Sequence, residues 1–450
     1  MQKKIVLIGA GLTGPLLAFY LAERGYHVEI YEKRPDLRYN DISAGRSINL
    51  ALSVRGINAL KEVGLYHKIA PYTIPMNGRN IHDLDGSEHL QPYGQKETEV
   101  IYSISRAKLN MEIMTLAEST GMVQIFFNHR CTNVSLKEKL AYITDENNSK
   151  EKIINFDIIL GVDGSGSVVR EAMIEQGGLD YVYKPLDHGY KELMIPPDSN
   201  GEYQMNPNAL HIWPREKFML IALPNMDASF TSTLFLPTKG PISFSTVNTD
   251  DEIVHLFNKY FPDAMPLISN LVSEYKNNPT GNLGSVYCDP WHFEDKAVIL
   301  GDAAHAVVPF FGQGMNASFQ DCSILNKLIG KYKSNWSLIF SEFSKSHVKN
   351  GHAIVDMAIE NYIEMRDHVN DPEYKKRRQL ELKLERMFPE EFIPRYSMVS
   401  FHQIDYSEVY SRGEKQFNIL EEILNNYDIA EVDKKTAKKF MIQQDLKIYQ

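Results

Sequence analysis

The chain has 450 residues, 43% hydrophobic and 24% charged, which is enough for two or three domains with substantial cores and excludes a disordered polypeptide. A formal net charge of −10 argues against nucleic acid and acidic membrane surfaces as partners, and the basic cluster Lys375 to Arg378 reads as a solvated helix face. Cys131, Cys288 and Cys322 lie far apart and are odd in number, so neither a disulfide framework nor a zinc site is expected.

Lys4 to Ile8 is a short apolar run, expected as a buried parallel strand that starts too close to Met1 for a signal peptide. Gly9-Ala-Gly-Leu-Thr-Gly14 follows at once, and Pro15 to Leu21 continues as an apolar helix. Gly9 permits the tight turn, Gly11 lets backbone approach a pyrophosphate, and Gly14 lets helix pack on strand. The pyrophosphate would sit at the helix N-terminus, where unpaired N–H groups and the dipole favour anions. His27 to Tyr31 is a second strand ending in Glu32, an acid suited to the hydroxyls of an adenosine ribose. Val100 to Ser105 reads as a strand leading to Arg106, and Phe156 to Val162 as another ending in Asp163-Gly164, with Arg170 beyond it. Taken alone, Asp-Gly marks only a turn.

The texture then changes. Leu210 to Trp213, Phe218 to Leu223 and Ser229 to Leu236 are short, β-branched or aromatic runs separated by turn residues, expected as an antiparallel sheet. Val298 to Gly301 returns to an apolar strand ending in Gly-Asp302, and Pro309-Phe-Phe-Gly-Gln-Gly314 opens a helix at Met315 and Asn316. That order aims a carboxylate and a row of backbone N–H groups at one point, which suits FAD: hydroxyls on one part and developing negative charge on another. Leu380, Leu384, Met387 and Phe388 recur at helical spacing before Pro389, and 414–427 and 431–448 are amphipathic. No apolar run reaches bilayer-spanning length, so a cytoplasmic protein without a membrane anchor is expected.

The ordered triplet of glycine fingerprint, Asp163-Gly164 and Gly301-Asp302 resembles the flavoprotein aromatic hydroxylases, the class similar to p-hydroxybenzoate hydroxylase. Gly45-Arg-Ser-Ile-Asn-Leu-Ala-Leu-Ser53, Ile74 to Arg79, Leu210 to Arg215, Ile221 to Met226, Val307 to Asn316 and Asn361 to Arg366 look like the kynurenine 3-monooxygenase branch of that class. The resemblance runs from about residue 4 to about residue 405. It implies an α/β fold: a Rossmann-like FAD-binding domain with a parallel sheet, a mostly antiparallel β-sheet substrate domain, and a C-terminal α-helical region. The boundaries expected are 1–70, 100–180 and 286–370 for the FAD domain, 71–99 and 181–285 for the sheet domain, and 371–450 for the helices. Eukaryotic members extend into a hydrophobic membrane-anchoring tail, whereas Lys434 to Gln450 is polar and charged.

For the cofactor, the residues matched or reasoned are Gly9, Gly11, Thr13, Gly14, Tyr31, Glu32, Lys33, Arg34, Ala51, Arg106, Cys131, Asp163, Asp302, Gly314, Met315 and Asn316. Arg106 would reach the pyrophosphate or ribityl chain, Cys131 would act through its backbone, and Asp302 would accept from ribityl hydroxyls. The plain alternative for Asp302 is a helix N-cap. For the substrate, Arg79, Tyr93, Asn361 and Tyr396 match the family's carboxylate-binding and polar contacts. Pro309, Phe310 and Phe311 are expected to wall the aromatic ring, with Leu220 to Leu223 and Phe235 as candidates for the opposite wall. Standing alone, Arg79 reads as a surface salt bridge and Tyr93 as a turn aromatic.

The activity implied is hydroxylation of L-kynurenine to 3-hydroxy-L-kynurenine with NADPH and O₂, through a flavin C4a-hydroperoxide, in tryptophan catabolism. No second glycine fingerprint exists, so NADPH is expected as a transient co-substrate, and its choice over NADH rests on the resemblance. An aniline directs attack to its own ortho carbon without a strong base, and no catalytic acid or base is assigned; His305 reads as structural. Two alternatives stay open: a flavin hydroxylase of another amino or phenolic aromatic, and a non-catalytic nucleotide-fold binding protein, which would purify colourless.

Overall fold

The structure is a computed structural model that describes residues 3–39, 49–368 and 371–446. Gly45 to Ile48 of the family string and the end of the expected 431–448 helix lie outside these residues. The chain forms two compact units: Met1–Ile74, Tyr102–Asp187 and Asn282–Ala358 make the first, and Pro75–Ile101, His188–Gly281 and Ile359–Gln450 the second.

The first unit is built on a sheet ordered His292–Phe293, Ala297–Ile299, Ile158–Gly161, Ile5–Ile8, Val28–Tyr31, Val123–Phe126. All its pairings are parallel except that of the two-residue edge strand. Ile5 pairs with both Ile158 and Val28, and the strand Ile5–Ile8 is buried throughout, which is why its sequence is a continuous apolar run instead of an alternation. Helix Gly314–Tyr332 packs on helices Thr13–Glu23 and Val54–Glu62 over this sheet. A separate antiparallel meander, His129–Ser135, Leu140–Asp145 and Glu151–Asn155, was not anticipated. Its signal was present: Ala141 and Ile143 are buried while Leu140, Tyr142 and Thr144 are only partly so, a period of two.

The expected antiparallel strands of the second unit form as Leu210–Arg215, Phe218–Pro224 and Phe230–Pro237. Outward from the last, the sheet gains residues His188 to Ile195; at the other side Gly78–His82 joins Leu210–Arg215 in parallel and Glu88–Pro92 joins antiparallel. One face buries Trp213, Leu220, Ala222 and Leu234 against helices Asp250–Tyr260 and Leu271–Asn277. The first of these opens with a capping box in which Thr249 and Glu252 satisfy each other's backbone N–H groups. Helices Pro372–Met387, Tyr406–Leu424 and Lys434–Gln443 enclose their own core of Leu380, Leu384, Ile419, Leu420 and Met441. They belong to the same compact unit as the sheet.

Candidate active site

In the first unit the glycine turn is fixed by sterics. Gly9 has φ +105°, and a Cβ there would lie 2.5 Å from the Val162 carbonyl oxygen; a Cβ on Gly14 would lie 2.1 Å from the Gly9 oxygen. Gly11, by contrast, faces open space. Helix Thr13–Glu23 starts at Leu12 with no side-chain cap, so its first N–H groups are left for an anion. Asn110 pins the turn by donating to the carbonyls of Ala10 and Gly11, each at 3.2 Å. Sequence reasoning missed Asn110; the signal was a buried polar residue one helical turn beyond Arg106.

Glu32 is buried and already engaged. Its Oε2 accepts from Ala10 N at 2.8 Å, and its Oε1 accepts from Arg34 N at 2.9 Å and Arg34 Nε at 2.8 Å. Burial opposes its charge, but the Arg34 contacts outweigh that and hold the carboxyl below its usual range. Arg34 is half exposed, so its side chain can yield a lone pair to a ribose hydroxyl by a rotamer change. Lys33 and Arg106 are exposed and Thr13 is half-buried. The Tyr31 ring stacks on Phe126 at 4.9 Å, its hydroxyl donates to Glu29, and its backbone carbonyl accepts from Gly9 N at 2.9 Å, so Tyr31 braces the glycine turn. Cys131 is buried, and burial, with Asp163 adding, pushes its thiol up to about 12, so it is inert.

Asp163 carries the clearest mark of an absent partner. Its Oδ2 accepts from Val168 N at 2.7 Å, while Oδ1 is buried with no partner, and burial raises its pKa. Asp302 is exposed and is the first residue of the short helix Asp302–His305, whose N-cap is Gly301; the capping reading of Asp302 is therefore corrected. Pro309–Phe311 forms a 3₁₀ turn with both phenylalanines buried. Helix Gly314–Tyr332 also begins without a side-chain cap, and Gly314 faces open space. Met315 is buried; the Asn316 side chain donates to Ala51 O and Gly312 O at 2.8 Å each and accepts from Ser53 N at 2.9 Å. Only the backbone of Asn316 is left to serve a ligand. Two uncapped helix starts, open glycine backbone and an orphaned carboxylate oxygen fit a ligand with a pyrophosphate, hydroxyls and an anionic ring edge.

The second unit assembles the four residues matched for the substrate. Arg79 is 7% exposed; its Nη2 donates to Asn361 Oδ1 at 3.4 Å and its Nη1 lies 3.7 Å from Glu364 Oε1. Its guanidinium stands over the rings of Tyr396 and Tyr93, at 5.0 and 6.0 Å. Those two rings stack at 4.9 Å with a 7° interplanar angle. Burial opposes the Arg79 charge, but Tyr396, Tyr374 and Glu364 around it outweigh that. Burial, with Tyr396 adding, pushes the Tyr93 hydroxyl well above its ordinary value, and that hydroxyl is buried without a hydrogen-bond partner. Arg79 is thus no surface salt bridge and Tyr93 no plain turn aromatic.

Strand register decides which apolar residues share the arginine's face. Arg79 lies opposite Leu210, Leu210 is in step with Leu223, and Ile81, Ile212 and Ile221 follow in the next row. Met219 is opposite Phe235 on that same face. Of the expected wall, Ile221, Leu223 and Phe235 therefore share the Arg79 face, whereas Leu220 and Ala222 point into the core. Glu364 was missed; it sits one turn after Asn361, where the helix passes into a π-helical stretch, Glu364–His368, a distortion frequent at functional sites.

The family described as FAD binding domain matches residues 2–195 and 249–336. A kynurenine 3-monooxygenase of Myxococcus xanthus (strain DK1622) is 43% identical over 438 residues, 97% of this chain and 94% of that protein. The kynurenine 3-monooxygenase of Cytophaga hutchinsonii is 45% identical over 432 residues, 95% of each. The chain belongs to the kynurenine 3-monooxygenase family. Among solved structures, a mutant of 2-methyl-3-hydroxypyridine-5-carboxylic acid oxygenase superposes with TM-score 0.65 at 17% identity, covering 83% of this chain and 95% of that one. P. aeruginosa PqsL in complex with 2-aminobenzoylacetate superposes with TM-score 0.62 at 15% identity, covering 81% and 99%. These two speak to the fold alone. The family carries a flavin, and this chain is an FAD-dependent monooxygenase. Among the described residues no helix is long and apolar enough to cross a membrane.

Proposed function

We propose that this protein hydroxylates L-kynurenine to 3-hydroxy-L-kynurenine with NADPH and O₂ as co-substrates. The observation that carries the reading is the buried, π-stacked arginine at the end of an apolar sheet face. Arg79 has a half-exposed counter-ion at 3.7 Å and, beside it, a buried Tyr93 hydroxyl with nothing to donate to. A carboxylate supplies both with a partner: two N–H donors of the guanidinium fork and the phenol O–H. Glu364, freed from Arg79 by that carboxylate, is available to an α-ammonium on the same carbon. Ile221, Leu223 and Phe235 offer apolar contact to the aromatic part. An amphiphile with an amino-acid head and a flat ring is the shape of kynurenine.

FAD, when bound, supplies the transfer of reducing equivalents to O₂ and the delivery of one oxygen atom. The residues that would hold it are the Gly9–Gly14 turn, Glu32, Asp163, Asp302 and the N–H groups from Gly314 to Asn316. The remaining work of the chain is positioning and exclusion of water. The aniline nitrogen donates electron density to its ortho carbon, so no protein base is required to activate the ring. His305 is engaged by Asp321 and takes no part. The decisive experiment follows NADPH oxidation by the flavin-loaded protein against L-kynurenine and analyses the product by mass. Stimulation with gain of one oxygen atom is expected; stimulation by phenolic acids but not by L-kynurenine would reassign the substrate.

A further inference from the structure

Asp321, on helix Gly314–Tyr332, is 1% exposed and has no place in the reading above. Its Oδ2 accepts from His305 Nε2 at 2.7 Å and from Gly301 N at 2.9 Å, and its Oδ1 accepts from His347 Nε2 at 3.1 Å. His305 and His347 are themselves buried. Gly301 immediately precedes Asp302. It adopts φ +59° and ψ −141°, and a Cβ there would come within 2.8 Å of Ser318 Oγ. The N–H that Asp321 holds fixes the peptide plane between Leu300 and Gly301, and hence the point from which Asp302 and the short helix Asp302–His305 start. A buried ion pair by itself is weak evidence of stabilisation. The bond to Gly301 gives this one a task.

We propose that Asp321, clamped by His305 and His347, is a positioning residue for the flavin site: it sets the Gly301–Asp302 turn without touching the flavin. The inference rests on the FAD reading. Burial opposes the charges, but the Asp321–His305 coupling outweighs it, holding Asp321 far below the carboxylate range and raising His305 above its usual 6.5. The other titratable or charged groups around the pair are Asp302 on the same turn, Cys322 next to Asp321, His347 on helix Trp336–Ile363, and Arg170, whose Nη1 donates to Ala303 O at 3.1 Å. Below the His305 pKa the pair is fully charged. As pH rises through it the clamp keeps its hydrogen bond and loses its ionic part, so FAD binding weakens.

The test titrates FAD into the flavin-stripped full chain across a pH series above 6.5, for wild type, Asp321→Asn and His305→Gln. Asp321→Asn is expected to weaken FAD by about tenfold to a hundredfold, the range for a disturbed charge-assisted hydrogen bond. Its pH step should be lost. His305→Gln keeps an N–H donor toward Asp321 but no charge; it should bind FAD at every pH as wild type does at the high-pH end of the series, without the pH step. Asp321→Asn protein that binds FAD as tightly as wild type at every pH overturns the proposal. Should that variant not fold, an unchanged pH step in His305→Gln overturns it and a lost step supports it. Wild-type chain that takes up no FAD refutes the functional reading instead, a result distinct from either.

Discussion

Arg79→Ala is the perturbation that most directly tests the substrate reading. A buried guanidinium facing a carboxylate at about 4 Å is worth about 4 kcal/mol at an effective dielectric constant of about 20. Truncating one partner of such a pair costs about 2–5 kcal/mol in binding. Two features of this site pull the expectation to the lower half of that range. Arg79 already has a counter-ion in Glu364, which is 41% exposed, so the free protein gives up an existing attraction when substrate arrives. Tyr93 and Tyr396 also remain to donate after the arginine is gone. At about 1.4 kcal/mol per decade, the half-saturating L-kynurenine concentration should rise about 30- to 300-fold. Turnover at saturation should fall less, because on the proposed reading Ile221, Leu223 and Phe235 would still hold the ring. FAD affinity should be unchanged, since Arg79 belongs to the second unit and the nucleotide residues to the first. The assay is steady-state NADPH oxidation coupled to product analysis, with a parallel flavin titration. A change in half-saturation under threefold, or loss of flavin, would show that Arg79 serves the fold and not the substrate.

Other consequences can be checked with the same material. Gly14→Ala places a Cβ 2.1 Å from the Gly9 oxygen and should lower the melting point of the apoprotein, whereas Gly11→Ala meets nothing and should leave that melting point intact while weakening FAD by about tenfold. Asp163→Asn removes a carboxylate whose pKa burial has raised. Such a group destabilises the folded apoprotein as pH climbs above the unfolded value, so the variant should melt higher than wild type at neutral pH without FAD and bind FAD more weakly; a lower apoprotein melting point would refute this. His211, buried, donates to Asn206 O and is held down to about 4, chiefly by burial. Because the unfolded chain takes up that proton below 6.5, the second unit should lose stability between pH 6.5 and about 4, by about 3 kcal/mol at most, and His211→Gln should flatten that stretch of the urea-midpoint profile.

The nucleotide site was legible because its requirements fall on the backbone. A positive φ at Gly9 and a 2.1 Å approach at Gly14 admit only glycine, so the need is written as residue identity at fixed spacing. The parallel strands were legible because burial on both faces leaves only apolar runs. The substrate cluster is a different case. Arg79, Tyr93, Asn361 and Tyr396 are brought together from positions far apart in the chain, and nothing local distinguishes each from a surface arginine or a turn tyrosine; the match to family strings, not periodicity, pointed to them. What escaped notice is what acts through side chains at one remove. Asn110 holds the turn from a helix a hundred residues away, and Asp321 holds Gly301 from the next helix. Strand alternation corrected the apolar wall, since a stretch such as Leu220 to Leu223 necessarily sends half its residues to each face.

One feature unites the two sites. Proteins satisfy nearly all buried polar atoms, and leaving one unmade costs about 1–3 kcal/mol. Asp163 Oδ1 in the first unit and the Tyr93 hydroxyl in the second are both buried and unpartnered, and each stands where a ligand group is expected. The free chain therefore carries that cost, and each ligand removes it on binding. Stabilisation by ligand should then exceed what replacement of an exposed polar contact would give, and it should be separable. FAD should raise the thermal midpoint of wild type far more than that of Asp163→Asn. L-Kynurenine added to the holoprotein should raise it further in wild type, and less in Tyr93→Phe, which removes the orphaned hydroxyl while keeping the ring stacked on Tyr396. Equal shifts in Tyr93→Phe and wild type would mean that this hydroxyl is satisfied by something other than substrate.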